Sequence, residues 1–230
     1  MTSLFALYPS LGLVLTLLVY MIALWVNKKL NSSLANPLLI AVILMIALLV
    51  FTKTDVPTYQ ESAKFIGYLL TPATISLAVP IYKQRRILKE NFSTIFITVV
   101  VAMVVGLASI IFIAKIFNMD EVVLRSVLAK SVTTAIAIDV TEIIGGLTPI
   151  MVGSVVLTGI FGVVINEWVF KLLKIDSYFA RGLGLGSSSH AMGTGESMKK
   201  NELQGAASSI AMVISGIIVA VIVPIIANWL

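Results

Sequence analysis

The chain has 230 residues, 59% hydrophobic and only 12% charged, with a mean hydropathy of +1.05. Soluble domains carry about 25% charged residues, so this composition describes an all-α, polytopic helical membrane protein. The absence of cysteine and the single histidine exclude a disulfide framework and a cysteine or histidine-rich metal centre, and no cofactor is expected.

The net charge of +5 does not mark a nucleic-acid surface, because the basic residues fall mainly between apolar runs, where the positive-inside rule places them. The first residues lack a basic start and an A-x-A cleavage site, so residues 4–26 read as a retained first span closed by Asn27, Lys28 and Lys29. A second uncharged run, 34–51, opens on Asn36-Pro37. Lys53, Asp55 and Glu61 then suggest a mixed polar loop. The third run, 65–82, carries Pro72 and Pro80, which free backbone carbonyls, so it is expected to be either bent and broken or an ordinary proline-kinked span.

Lys83, Arg85, Arg86 and Lys89 form the densest basic cluster and mark loop 83–91 as cytoplasmic, with the N-terminus outside. The fourth span is 93–114. Segment 122–140 is less apolar and contains Lys130, Ser131, Thr133, Thr134 and Asp139; Glu142 and Gly145-Gly146 lead into the next apolar run, 149–170. If 122–146 crosses the membrane, Lys171 and Lys174 fall outside; if it dips in and returns, they fall inside. The charge rule favours the re-entrant hairpin.

The stretch 182–198 reads GLGLGSSSHAMGTGESM. Its five glycines would weaken a continuous helix by roughly 1 kcal/mol each, and Gly193 and Gly195 are expected to let the backbone leave the αR basin. A helix interrupted at membrane depth is tolerated only where it is buried in protein or lines a cavity. A second hairpin here keeps Arg181, Lys199 and Lys200 on the cytoplasmic side, before a final span, 203–230. Long helix followed by polar, broken segment thus occurs twice, at 93–146 and 149–198, as expected of inverted repeats with a site at their interface.

Half-helix N-termini offer free N–H groups and positive potential, which suit an anion. Ser131, Thr133 and Thr134 on one segment, with Ser188, Ser189, Gly193 and Thr194 on the other, would hold a small carboxylate, and Lys130 and His190 would add charge. The alternatives are that the hydroxyls bond their own i−4 carbonyls, that the glycines serve helix packing, that His190 bridges two helices, and that Lys130 pairs with Asp139 or Glu142. No nucleophile–base pattern or phosphate loop occurs, so no enzymatic activity is expected.

These motifs together resemble the LrgB/CidB family of bacterial membrane proteins, the antiholin-like regulators of murein hydrolase export: Asn36-Pro37, TPATISLAVPIY at 71–82, KSVTTAIAI at 130–138, Gly145-Gly146, RGLGLGSSSHAMGT at 181–194 and GAASSIAM at 205–212. The resemblance implies a single transmembrane domain in a bacterial plasma membrane, with 1–91 as scaffold spans and 92–230 as two broken-helix units. It implies two functions of different kinds. One is transport of small carboxylates, since a plastid relative moves glycolate and glycerate and some bacterial relatives are linked to pyruvate uptake. The other is regulation of autolysis beside a small LrgA-like holin partner. A homodimer and an elevator-like motion are the accompanying expectations.

Overall fold

The computed structural model describes residues 10–30, 37–69, 72, 75–76 and 78–230, and among these it contains eleven helices and no strand. The chain forms two compact units, residues 1–76 and 77–230.

In the first unit, α1 (Leu11–Leu30) and α2 (Pro37–Thr52) are the two apolar runs, and α3 (Val56–Tyr68) is amphipathic. The expected polar loop is shorter than its charges suggest, because α3 already begins at Val56 and takes in Glu61. Asp55 caps it, its carboxylate accepting from the Thr58 N–H at 3.0 Å and the Thr58 hydroxyl at 2.7 Å, while Pro57 sits in the first turn, where its missing N–H costs nothing. Gly12 of α1 lies directly against Ser62, and Thr16 shares a 2.7 Å hydrogen bond with the Tyr59 hydroxyl. The start of the first span, Asn36, and the centre of the proline-bearing third segment lie outside the described residues.

The second unit begins with two short helices, α4 (Ala78–Lys83) and α5 (Arg85–Glu90). Three long apolar helices follow, interleaved with shorter ones: α6 (Phe92–Ile116), α7 (Glu121–Val127), α8 (Thr134–Ile143), α9 (Thr148–Leu172), α10 (Tyr178–Lys200) and α11 (Glu202–Ala227). At about 1.5 Å per residue, α6, α9 and α11 each exceed the ~30 Å hydrocarbon core. With α1 they are the four helices, among the described residues, long and apolar enough to cross a bilayer. α6 buries one stripe, Ile95, Val99, Met103, Leu107, Ile110 and Ala114, and leaves large apolar side chains such as Phe96, Val101 and Phe112 exposed on its other faces. That distribution suits a helix with protein on one side and lipid on the other.

With 7 and 10 residues, α7 and α8 are too short to cross. They fold back on each other instead: Arg125 Nη1 donates to the Ile144 carbonyl at 2.8 Å, and the Leu147 N–H donates to Ser126 Oγ at 2.7 Å. Segment 121–147 is therefore a hairpin, hairpin one, and α9 returns the chain to the end it came from. Ion pairs gather the other end: Lys83 with Glu202 at 3.0 Å and Lys200 with Glu167 at 2.8 Å. Within this unit Lys83, Arg85, Arg86, Lys89, Lys171, Lys174, Arg181, Lys199 and Lys200 all lie towards that end, against Lys115 and Arg125 at the other. This is the asymmetry that the positive-inside rule expects of a cytoplasmic face.

Candidate functional site

Helix α10 is two helices joined at a sharp reversal. His190 has φ 42° and ψ −131°, far outside the helical basin, whereas Gly193 and Gly195 both keep negative φ. The break thus falls on the histidine and not on the glycines expected to permit it. A non-glycine residue there costs of order 1–3 kcal/mol, so the surroundings must hold it. Its ring does part of this, Nε2–H donating to the Val155 carbonyl of α9 at 3.1 Å. The side chain is almost fully buried. His190 therefore does bridge two helices.

The glycines serve close approach. A Cβ on Gly193 would sit 2.5 Å from the Leu185 carbonyl oxygen, which only a folded-back chain can bring so near a residue eight positions on. On Gly186 it would overlap the Ser208 carbonyl and stand 2.8 Å from the Ser208 Cα. Residues 178–189 and 191–200 thus form hairpin two, with both arms laid against α11, whose Gly205, Ala206, Ala207, Ser208 and Ser209 are all buried. Small side chains are what such backbone approach needs. Two further glycines, Gly159 and Gly162 on α9, make notches for the His190 ring and for Ser189. Sequence reading missed them, although small residues three apart in an apolar span are a visible signal.

The hydroxyls divide by hairpin. In hairpin two, Ser187 donates to the Leu183 carbonyl and Ser188 to the Gly184 carbonyl, each at 2.7 Å. Ser189 pairs with Ser188 at 3.1 Å. Thr194 donates to the His190 carbonyl at 2.9 Å, which spends its proton, so Ser208 is the donor in their mutual 2.9 Å bond. Intrahelical bonding accounts for much of this cluster. Hairpin one differs. The side chains of Lys130, Ser131, Thr133 and Thr134 are half-buried at its tip, and none has a hydrogen-bond or ion-pair partner among the described residues. Thr133 occupies the N-cap of α8 without bonding any of its free N–H groups. Asp139 and Glu142, the alternative partners of Lys130, form no ion pair with it; both are exposed.

Both tips converge on the middle of the long helices. Thr194 touches Met212 of α11, its hydroxyl 3.8 Å from the sulfur, while Ile136 in the first turn of α8 packs on Gly216, one turn further along. The sequence-selected residues therefore form two groups, one per tip, that face a common region. No cluster of three or more His, Cys, Asp or Glu able to hold a metal occurs among the described residues.

Comparison with known proteins agrees with the motifs. The model of the LrgB-like family matches residues 16–229. The antiholin-like protein LrgB of Bacillus subtilis strain 168 is 30% identical over 218 residues, covering 94% of each chain. YwbG of the same organism is 31% identical over 219 residues, 95% of this chain and 97% of that one. The holin-like protein CidB of Staphylococcus epidermidis RP62A is 29% identical over 215 residues, 94% of each chain. No solved structure matches. The chain is a multi-pass membrane protein and belongs to the LrgB-like family.

Proposed function

We propose that the protein carries small carboxylates across a bacterial plasma membrane, holding the anion between the tips of hairpins one and two. The observation that supports this most is Lys130: a cation at the tip of a re-entrant hairpin, with no carboxylate partner among the described residues. An unpaired charge at such depth is expensive, and intramembrane ionisable groups mark ion and substrate paths. The uncapped N-terminus of α8 and the idle hydroxyls of Ser131, Thr133 and Thr134 would complete a carboxylate cradle. In hairpin two, Ser188, Ser189, Gly193 and Thr194 shape the opposing wall, with His190 as its fixed corner. Inverted repeats built on broken helices suit an elevator-like motion of the hairpins past a scaffold.

The test is uptake of labelled pyruvate and glycolate by proteoliposomes. A hydrogen-bonded charge contributes about 1.5–3 kcal/mol, so Lys130→Gln should weaken apparent affinity by about 10- to 150-fold. Saturable uptake that is the same in wild type and Lys130→Gln would end this reading.

A second reading has its own support in the names of the relatives, antiholin-like LrgB and holin-like CidB. It makes the protein a regulator of murein hydrolase activity, acting beside a small LrgA-like membrane partner. Those names favour the second reading directly, while the first rests on geometry. An autolysis assay separates them: under the regulatory reading Lys130→Gln leaves lysis control intact, and deleting the partner abolishes it.

A further inference from the structure

Ion pairs use up much of the positive charge at the cytoplasmic end. Lys83 is taken by Glu202 and Arg86 by Glu90, each at 3.0 Å, Lys200 by Glu167 at 2.8 Å and Lys199 by Glu196 at 3.5 Å. Arg85 and Lys89 of α5 are exceptions. Both are exposed, and neither has a carboxylate partner among the described residues.

The two share a face with three aromatic rings. Only Gln84 and Asn91 separate α4, α5 and α6, and the helical ladder runs through both joints. The N–H groups of Gln84, Leu88, Asn91 and Ile95 donate to the carbonyls of Pro80, Gln84, Ile87 and Asn91, at 3.1, 3.1, 3.1 and 3.0 Å. Tyr82, Arg85, Lys89, Phe92 and Phe96 therefore follow the alternating three-and-four spacing of one helix face. All five are exposed, while Leu88 is buried in the core and holds α5 in place. The Arg85 guanidinium lies over the Tyr82 ring, 4.4 Å from its centroid, and the Phe92 and Phe96 rings stack 6.2 Å apart. Phe96 already belongs to the side of α6 that faces lipid. At about 1.5 Å per residue, Lys89 and Arg85 stand about 4.5 and 10.5 Å above Phe92, in and just above the headgroup layer.

We propose that this row binds an anionic phospholipid of the cytoplasmic leaflet, its phosphate held between Arg85 and Lys89 and its acyl chains lying along Phe92 and Phe96. The site is separate from the hairpins and holds under either functional reading. Charge complementarity commits it to such a lipid: two unpaired cations one turn apart match a phosphate, for which the guanidinium supplies a fork of donors. Continuity does the same, since the row passes directly into a surface that faces acyl chains. Aromatic rings at the boundary and basic residues just beyond it are the pattern by which proteins engage anionic headgroups.

The test titrates the full-length protein in detergent micelles with dioleoylphosphatidylglycerol or dioleoylphosphatidylcholine and counts bound lipid by native mass spectrometry. Wild type should prefer phosphatidylglycerol, and added salt should weaken that preference. Each cation near a membrane surface contributes about a factor of five, so Arg85→Gln with Lys89→Gln should weaken phosphatidylglycerol by about 30-fold. Arg85→Lys with Lys89→Arg, which keeps both charges, should retain the preference and so separates charge from any effect on folding. Lys171→Gln with Lys174→Gln removes as much charge from the same end and should leave binding near wild type. Equal loss in both neutralised pairs would reduce the effect to general surface charge and overturn the site. So would a wild type without preference, or a 85/89 glutamine variant that keeps its lipid. A co-purifying membrane protein that depends on Arg85 and Lys89 and is not displaced by phosphatidylglycerol would make the row a protein contact instead.

Discussion

Replacing His190 by glycine and by alanine inverts an ordinary expectation. Within a continuous helix, glycine is about 1 kcal/mol less stable than alanine. At φ 42° and ψ −131° the order reverses, because a Cβ there costs about 1–3 kcal/mol that glycine does not incur. Both variants lose the same 3.1 Å bond from the ring to the Val155 carbonyl, about 0.5–1.5 kcal/mol, so that loss cancels between them. His190→Gly should therefore be more stable than His190→Ala by about 1–3 kcal/mol, and close to wild type, since strain relief offsets the lost bond. At 1.4 kcal/mol per factor of ten, the difference amounts to about 5- to 150-fold in the unfolding equilibrium. Equilibrium denaturation in mixed micelles, followed by tryptophan fluorescence, would measure it. Alanine equal to or more stable than glycine would mean that residue 190 is helical and that hairpin two does not exist.

Gly186→Ala should destabilise by about 1–3 kcal/mol, the usual cost of overpacking, because its Cβ meets the Ser208 backbone. Gly195→Ala, with no atom within 4 Å, should stabilise by about 0.5–1 kcal/mol in the same denaturation assay. The Thr58 hydroxyl and N–H hold the Asp55 carboxyl below its ordinary range. The cap's contribution to α3 is thus present above about pH 3.9, the unfolded value, and lost as pH falls through the lower folded value; protection of the Thr58 amide against hydrogen exchange should fall only at that acid end. Gln84→Cys, in a chain without other cysteines, should resist impermeant maleimide in intact cells and react in inverted vesicles; labelling from outside would overturn the assigned orientation.

Hydropathy made the long helices legible, because a span needs only length and freedom from charge, and α6, α9 and α11 begin and end within three residues of the uncharged runs. The hairpins were legible for the opposite reason: glycine and hydroxyl residues have no place in a lipid-facing span. Which residue breaks the helix was not. Local propensity points to Gly193 and Gly195, but tertiary contact decides, since Gly193 is needed for close packing on Leu185 and the Val155 carbonyl anchors His190. Charge misled at Glu61, which is tolerated on the outer face of α3. The contrast between spent hydroxyls in hairpin two and idle ones in hairpin one is invisible in sequence, because serine and threonine look alike whether or not a carbonyl lies four residues behind them.

The packing of hairpin two on α11 also constrains how the molecule is made. Its arms carry Ser187, Ser188, Ser189, His190 and Thr194, too polar to leave the translocon for lipid unaided. The bed that shields them, Gly205 to Ser209 with Ala211 and Met212, belongs to the next and final helix. Hairpin two must therefore wait in the aqueous vestibule until α11 has emerged, and enter the membrane alongside it. Chains shortened before that helix would keep every earlier span yet strand the hairpin in water, exposed to membrane proteases that survey unfinished products.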